Sequence, residues 1–303
     1  MTALAFSESN GSSPDLLAIE SIRRHFEARL AAAELVMLPF PHLLLTEVLP
    51  DPVFKQILQE NPFLEGTGKA FGDAPWAKRL RFENKYDKRF QYDISPSRCE
   101  LAGGIGVQLG QAFADLNWLG PVLQNRFPEY FSLRFGDISR IPDFWSRLRN
   151  EAFLQRLDPG YRLDAHTDVP GRVATCIFSF ASVDGYERCG TQLLIPKNPL
   201  WRCWGNLHHP LDGFEVAKVS PYKPNAALVF FKTRHAWHSV GTEAALAPDG
   251  RFNMQVQISE SGDGALIDLS EPELMRNRQF RPEGPLERAY RWIRRGSRAG
   301  RGK

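Results

Sequence analysis

The sequence predicts an α+β protein that is mainly β, with helices in its first part and a strand-rich domain behind them. Segments with helical spacing and capping residues precede residue 130. From there on, short strand-like runs alternate with turn signals such as "DPG", "VPG" and "APDG". Regular short strands with this punctuation are typical of a β-sandwich or a barrel. Hydrophobic residues make up 43% of the 303 residues, enough to bury a core without disulfides or a structural metal.

The first helix is predicted in "SPDLLAIESIRRHFEARLAAAEL". Ser13 can cap this helix, and Pro14 suits its first turn because the N–H that proline lacks has no partner there. Ile22, Phe26 and Leu30 follow at near-helical spacing and predict an apolar face.

A short strand and two more helices are predicted before residue 130. "PHLLLTEVL" has the composition of a strand, and "DPVFKQILQEN" starts a helix with Asp51 as its cap and an early Pro52. A third helix is expected over about residues 97–116, although its internal glycines disfavour helix formation.

Strand-like runs occupy most of the chain that follows. In order they are "FSLRFGDI", "AFLQRLD", "RLDAHTD", "RVATCIFSFAS", "GTQLLIP", "FEVAKVSP", "AALVFFKT", "HAWHSV" and "RFNMQVQIS", and a helix is predicted in "PLERAYRWIRR". The predicted organisation is a disordered N-terminus (1–13), a helical support region (14–129), a β-rich core (130–262), a helical extension (263–295) and a basic disordered tail (296–303).

Charge and cysteine usage narrow the functional classes. Residues 288–303 contain seven Arg or Lys and no acid, and subtracting these seven from the net charge of +3 leaves −4 for the remaining chain. The basic excess is therefore a property of the tail, which argues against a nucleic-acid partner. The four cysteines have no CxxC spacing, and no apolar run is long enough to span a bilayer. We expect a cytoplasmic protein with reduced thiols and no membrane partner.

The stretch "YRLDAHTDVP" places His166 and Asp168 two positions apart in a predicted strand. Residues i and i+2 of a strand share a face, so the imidazole and the carboxylate point the same way. Together they form half of a two-His-one-carboxylate triad, the ligand set that leaves one side of Fe(II) open. Because the same tripeptide also occurs on ordinary exposed strands, a third ligand is needed to decide between the two interpretations.

The segment "FFKTRHAWHSVG" offers His235 and His238 as candidates for that ligand. They lie three positions apart and face opposite ways on an extended backbone, so only one of them can join the site. Arg251 then opens the strand "RFNMQVQIS", in which polar and apolar residues alternate. A polar barrel interior and an exposed outer strand would both produce this alternation.

The motifs "HTD … WHSV … GRFNMQV" resemble the 2-oxoglutarate- and Fe(II)-dependent oxygenase superfamily, whose pattern is H-x-D…H with a basic residue downstream. "LDPGYRLDAHTD", "GTQLLIP" and "YKPNAALVFFKTRHAWHSV" are similar to its prolyl-hydroxylase-like bacterial branch. The similarity covers residues 150–260 well and 38–65 loosely. It implies a double-stranded β-helix, that is, a jelly-roll or cupin-like barrel with the N-terminal helices packed on it.

The resemblance also implies a reaction and a role for each site residue. His166, Asp168 and His238 would bind Fe(II), which leaves His235 as a neighbour. Arg251 would pair with the distal carboxylate of 2-oxoglutarate, because a guanidinium can make two parallel hydrogen bonds to a carboxylate. Fe(II), 2-oxoglutarate and O2 would hydroxylate a small-molecule or peptidyl substrate, with release of succinate and CO2. Halogenating relatives carry a small residue in place of Asp168, so hydroxylation, or a desaturation or demethylation begun by the same hydrogen abstraction, is favoured over halogenation.

Two predicted cosubstrate contacts depart from the family pattern or are weakly supported. The frequent R-x-S of the family is Arg251-Phe252-Asn253 here, and Asn253 would replace the serine. Tyr161 lies where related proteins often place an aromatic residue near the cosubstrate, and a tyrosine packed in the core is an equal alternative.

Two further motifs have less specific interpretations. Gln192, in "GTQLL", is expected to serve strand packing. His208 and His209, in "GNLHHP", are expected in a loop over the mouth of the site.

Other functional classes stay open at this point. A 2-oxoglutarate-independent cupin-type metalloenzyme would share the barrel, but such sites usually contain more histidines and would leave Arg251 without a role. A non-catalytic jelly-roll binding protein would not need the complete ligand set. A nucleic-acid demethylase of the same superfamily is supported only by the basic tail. Substrate choice depends on loops, which fold analogy does not interpret.

Overall fold

The computed structural model describes residues 16–62, 69–70, 88–96, 104–203, 205, 208–241, 247 and 249–261. The α-helices are α1 (Leu16–Ala32), α2 (Asp51–Glu60), α3 (Gly104–Ala114), α4 (Leu116–Arg126) and α5 (Pro128–Phe135). The strands are β1 (His42–Thr46), β2 (Lys69–Ala70), β3 (Arg89–Asp93), β4 (Leu148–Leu157), β5 (Leu163–His166), β6 (Arg172–Ser179), β7 (Thr191–Pro196), β8 (Phe214–Ser220), β9 (Ala226–Phe231), β10 (His238–Val240) and β11 (Arg251–Glu260).

The strands form two antiparallel sheets. The larger sheet has the order β1-β9-β6-β11-β4-β3-β2, and the smaller has the order β5-β10-β7-β8. From β4 to β11 the chain passes back and forth between the sheets, and each sheet receives four of these eight strands. This is the connectivity of a double-stranded β-helix. The α+β, mainly β fold class predicted from the sequence is therefore confirmed.

Three early strands extend the larger sheet beyond the eight strands of the barrel. β1 pairs with β9 over its whole length, and β3 pairs with β4. They lie within residues 14–129, so this region adds strands to the sheet as well as helices to its surface. The helix expected over 97–116 is observed from Gly104 to Ala114, and residues 97–103 lie outside the described part of the chain.

The main apolar core lies between the helices and the outer face of the larger sheet. Phe178 of β6 packs against Phe26 of α1 and Phe113 of α3, with ring centroids 5.5 and 4.9 Å apart. Met254 and Val256 of β11 belong to the same core. Because side chains alternate along a strand, the opposite face of β11 points into the space between the sheets and carries the polar residues Arg251, Asn253, Gln255 and Gln257. The alternation in "RFNMQVQIS" thus reflects a polar barrel interior.

One strand prediction is wrong, because "FSLRFGDI" forms the end of α5 and the turn after it. Pro128 and Glu129 occupy the first turn of α5, where both residue types favour helix. Gly136, with a φ of 70°, caps the other end. Arg134 looks in the sequence like the solvent face of a strand, yet its side chain is buried.

Residues 1–15 and 262–303 lie outside the described part of the chain. They include the predicted disordered N-terminus, the C-terminal helical extension and the basic tail. Among the residues that the structure describes, no helix combines the length and the apolar character needed to cross a bilayer.

Candidate functional site

Three potential metal ligands converge where β5 and β10 meet. His166 ends β5, His238 begins β10, and the two residues are direct partners in the antiparallel pair. Directly opposite residues of such a pair place their side chains on the same face, and the two imidazole centroids are 4.2 Å apart. Asp168, two residues after the end of β5, completes the group.

The spacing of these side chains fits one divalent ion. Oδ1 of Asp168 lies 4.0 Å from Nε2 of His166 and 3.7 Å from Nε2 of His238. One donor atom from each of the three residues lies within 4.8 Å of the other two. Donors that each stand about 2 Å from one ion at adjacent positions of an octahedron lie roughly 3 Å apart, so the three donors would draw together when the ion binds. Two imidazoles and one carboxylate are the ligand set of non-haem Fe(II).

The two histidines are held in the tautomer that a metal requires. Nδ1 of His166 lies 2.9 Å from the carbonyl oxygen of Asp164, and Nδ1 of His238 lies 2.9 Å from that of Ala236. A carbonyl oxygen only accepts, so each Nδ1 carries the proton and donates it. The lone pair of each ring is therefore on Nε2, the atom that faces Asp168.

The electrostatic environment also favours metal binding. Burial, followed by the proximity of His238 and His208, holds the pKa of His166 well below its ordinary value. Burial alone would raise the pKa of Asp168, but its neighbours, His238 foremost, lower it to about 2. At neutral pH His166 is thus neutral and Asp168 is ionised, and these are the forms that bind a metal.

The structure separates the two candidates for the third ligand. His238 belongs to the cluster, whereas His235 lies outside it in the turn before β10. The backbone N–H of His235 donates to Oγ1 of Thr233, and its carbonyl accepts from Trp237. This tight turn keeps His235 away from the position that His238 occupies.

Arg251, the first residue of β11, lines a small cavity between the two sheets. Its side chain is only 3% exposed, and neither Nε nor Nη1 has a hydrogen-bond partner. The guanidinium carbon lies 5.5 Å from the ring centroid of Tyr222, and burial lowers the pKa of Arg251. A buried guanidinium without an anion is unfavourable, so this cavity is suited to a carboxylate.

Two more polar side chains in the cavity have unused hydrogen-bonding capacity. Asn253 of β11 and Ser179 of β6 are direct cross-strand partners, and both line the cavity. Oδ1 of Asn253 and Oγ of Ser179 have no hydrogen-bond partner. Tyr161 is buried in the loop before β5 with an unpartnered hydroxyl, close enough to Arg251 to affect its pKa. Arg251 and Asn253 therefore line one cavity, whereas Tyr161 packs against Leu157 and Val240.

The cavity adjoins the metal cluster through β7. Thr191 lines the cavity, and Leu193, two residues further along the strand, pairs directly with His238. Two residues of a strand span about 7 Å. Along β7, the lining of the cavity and the partner of His238 are therefore only about 7 Å apart.

The barrel interior opens to solvent at the metal end. Gln155 on the inward face of β4 is buried, whereas Phe153 and Glu151 on the same face are half-buried. The interior is therefore more exposed toward the start of β4. Glu151 pairs with Gln257, which pairs on its other side with Thr175. Thr175 contacts Asp168, so the ligands lie near the mouth and the Arg251 cavity lies deeper.

Sequence reasoning missed Thr175 and Ser179. Oγ1 of Thr175 donates a hydrogen bond of 2.7 Å to Oδ2 of Asp168. The available signal was their spacing, because positions four apart in the otherwise apolar "RVATCIFS" share a face. Gln192 is buried and accepts a 2.9 Å hydrogen bond from Ser239 of β10, which is a packing role.

The histidine pair lies beside the ligands. The ring of His208 stacks on that of His166 with centroids 4.8 Å apart and an interplanar angle of 9°. His209 points the other way, into an aromatic cluster with Trp201 and Trp237. The expected loop over the mouth therefore contacts the candidate metal centre through His208.

No protein-family model matches the sequence, and a search of curated proteins gave no match. A prolyl-4-hydroxylase from Pseudomonas putida is similar at 13% identity, over 79% of this chain and 99% of that chain, with a TM-score of 0.40. HygX from Streptomyces hygroscopicus, solved with nickel, 2-oxoglutarate and hygromycin B bound, is similar at 10% identity, over 73% and 82%, with a TM-score of 0.41.

A third similar structure is SnoN, a non-haem α-ketoglutarate-dependent epimerase from nogalamycin biosynthesis, at 15% identity, over 84% and 89%, with a TM-score of 0.36. The matched structures thus include a prolyl-4-hydroxylase and a 2-oxoglutarate-dependent protein, the class that the motifs resemble.

Proposed function

We propose that the chain is an Fe(II)- and 2-oxoglutarate-dependent dioxygenase that hydroxylates a small-molecule or peptidyl substrate and releases succinate and CO2. One observation carries the proposal: three potential metal ligands adjoin a cavity whose buried guanidinium has no anionic partner among the residues that the structure describes. The cluster accounts for a metal, and the guanidinium accounts for a cosubstrate that ends in a carboxylate.

His166, Asp168 and His238 would hold Fe(II) through Nε2, a carboxylate oxygen and Nε2. Bound together, the metal and 2-oxoglutarate supply the oxidising chemistry that activates O2 for attack on a C–H bond. The protein orients both imidazoles through Nδ1 and keeps the carboxylate of Asp168 ionised, so Nε2 of each ring and a carboxylate oxygen are available to the metal.

Arg251 would bind the distal carboxylate of 2-oxoglutarate through its guanidinium, in which Nε and Nη1 lack partners and either can donate to the carboxylate. Ser179 can donate its hydroxyl proton to the same carboxylate, and Asn253 can donate from its amide. A dicarboxylate held at this depth would reach toward His238 and exclude water from the cavity.

The substrate would enter where the interior opens, beside Glu151 and Gln257. Both side chains are half-buried and polar, so they can donate or accept hydrogen bonds at the mouth. This composition favours a substrate with polar groups near the carbon that reacts.

Anaerobic addition of Fe(II) and 2-oxoglutarate tests the proposal, with the visible metal-to-ligand charge-transfer band as the readout. The intact protein should develop the band, His166→Ala should abolish it, and Arg251→Met should shift its half-maximum to higher 2-oxoglutarate concentration. Metal binding without any 2-oxoglutarate-dependent band would contradict the proposal and favour a cupin-type metalloenzyme. Succinate release in the presence of amino acids, peptides and sugars would then define the substrate class.

A further inference from the structure

The segment 197–213 is an insert between β7 and β8 whose two ends are joined by a hydrogen bond of 2.9 Å from Lys197 N–H to the carbonyl of Gly213. It docks along the ligand-bearing stretch of chain. The N–H of His209 donates to the carbonyl of Ala165 at 2.8 Å, which forms a β-bridge beside His166. Oγ1 of Thr167, the residue between the two ligands of "HTD", donates to the carbonyl of Cys203 at 2.8 Å.

A third point of docking lies at Asp168. Gly205 has a φ of 124°, and a Cβ at this position would come within 2.1 Å of the carbonyl oxygen of Asp168. Only glycine therefore fits here. These contacts hold Cys203, Gly205 and His209 against residues 165–168, and His208 directly precedes the anchored His209.

His208 differs from His209 in exposure and in neighbours. Its ring is nearly parallel to that of His166, and the residue is exposed, whereas His209 is half-buried among aromatic rings. One side of the His208 ring thus covers a metal ligand, and the rest of the side chain borders the solvent from which further ligands must come. The mechanism proposed above assigns it no role.

We propose that His208 is a contact for small anionic ligands that bind the metal from solution, to which a ring nitrogen donates a hydrogen bond. The inference rests on the proposed metal site but not on the choice of cosubstrate or substrate. Three protein ligands would leave open positions on an octahedral ion, and the ring of His208 lies 4.8 Å from that of the ligand His166. Such a contact would orient exogenous ligands without itself binding the metal.

The test uses the full-length protein loaded with Co(II), whose visible absorption reports on its coordination, and azide as the anionic probe. His208→Phe keeps a flat ring for stacking but removes the nitrogens, His208→Ala removes both, and His208→Gln restores a donor without a ring. His25→Phe is the matched control, because His25 is on α1 and bonds the backbone of Glu47.

All variants should bind Co(II) like the intact protein, since the three ligands are untouched. His208→Phe and His208→Ala should weaken azide binding by about 3- to 10-fold, the contribution of one hydrogen bond, and His208→Gln should recover part of it. An unchanged azide affinity in His208→Phe, or a Co(II) protein that binds no azide, would overturn the role of His208 and leave the metal site standing. Failure of the intact protein to bind Co(II) would instead remove the metal site, and the proposed function with it.

Discussion

The hydroxyl of Thr175 donates a 2.7 Å hydrogen bond to Oδ2 of Asp168, and this leaves Oδ1 as the oxygen that faces the two histidines. The bond also contributes to holding the pKa of Asp168 at about 2. Thr175 thus orients the carboxylate from a neighbouring strand without contacting the ion itself.

We therefore predict that Thr175→Val lowers affinity for Fe(II) or Co(II) by about 10- to 100-fold, as is usual when a partner of a metal ligand is lost. Thr175→Ser keeps the hydroxyl and should bind metal like the intact protein. Competition against a chelating dye measures both affinities. Equal affinity in the valine and serine variants would show that the hydrogen bond does not position Asp168.

Arg251 should stabilise the complex with 2-oxoglutarate but lower the stability of the ligand-free protein. Arg251→Met removes a buried guanidinium without an anionic partner, so the melting temperature without ligand should stay the same or rise. The stabilisation that saturating 2-oxoglutarate gives the intact, metal-loaded protein, about 2.7 kcal/mol at a hundred times Kd, should disappear.

Differential scanning calorimetry with and without 2-oxoglutarate checks this prediction. Arg140→Met is the control, because Arg140 forms an exposed ion pair with Asp137 away from the cavity. A ligand-induced shift that survives in Arg251→Met would assign the carboxylate to another side chain.

Ser179 should donate a hydrogen bond to the cosubstrate. It would replace the serine hydroxyl of the R-x-S pattern, since Asn253 occupies that position here. The two residues face each other across the β6–β11 pair, so a hydroxyl on either strand reaches the same cavity. Ser179→Ala should raise the Kd for 2-oxoglutarate about tenfold, the effect of one hydrogen bond to a charged group. Titration of the charge-transfer band measures it, with Ser132→Ala, exposed on α5, as the control. An unchanged Kd would limit the contact to Arg251 and Asn253.

Lys232 should give the metal-free protein a distinctive pH dependence. Its side chain is 1% exposed, and burial lowers its pKa to about 7. Between this value and the unfolded value of about 10.4, the unfolded chain holds a proton that the native chain lacks. The free energy of unfolding therefore rises with pH over this window, by up to about 1.4 kcal/mol per pH unit, and is flat with respect to this group below it.

Urea unfolding of the intact protein and of Lys232→Met, both in EDTA, isolates this contribution. The difference in slope between the two proteins should match the uptake of one proton and vanish below about pH 7. Identical slopes would mean that Lys232 keeps its proton in the native state. The variant also loses the 3.1 Å bond from Nζ to Oγ1 of Thr167, so the slopes rather than the absolute stabilities are compared.

Arg134 should be one of the most important residues for stability. Its guanidinium donates to the carbonyls of Pro170 and Arg172, which fixes the turn after Asp168, and pairs with Glu260 at the end of β11. Arg134→Met should lower the free energy of unfolding by roughly 3–5 kcal/mol, because Glu260 is left largely buried without its partner. Adding Glu260→Gln should recover part of the loss in the same urea experiment, and no recovery would locate the effect in the turn alone.

The strands of the barrel could be predicted from the sequence better than the last helix before them. Each predicted run from "AFLQRLD" to "RFNMQVQIS" contains a strand because turn signals on both sides limit it. The strand prediction for "FSLRFGDI" was wrong because apolar and polar residues alternate in it as they do in a strand. Pro128, which precedes the segment, instead starts a helix that continues into it. Arg134 contributed a polar residue to this alternation, because the sequence does not show that its side chain is buried.

The sequence motifs identified the candidate metal ligands. They did not identify the residues that contact those ligands from other parts of the chain. His166 and Asp168 share one segment, so their spacing was visible. Thr175 reaches Asp168 only because β6 runs back past β5, and His208 reaches His166 only because the insert docks there. Such contacts depend on tertiary folding, which residue spacing along the chain does not encode.

The strands β6 and β11 carry the apolar core on their outer face and the polar cavity on their inner face. Stability thus depends on the outward residues of these strands, and ligand recognition depends on the inward residues that alternate with them. Inward positions such as Gln255 and Ser179 can change without opening a void under the helices, and core positions such as Val256 can be repacked without touching the cavity. A gene encoding this barrel can therefore acquire a new ligand preference by single substitutions while its copies continue to fold, an arrangement that favours divergence after duplication.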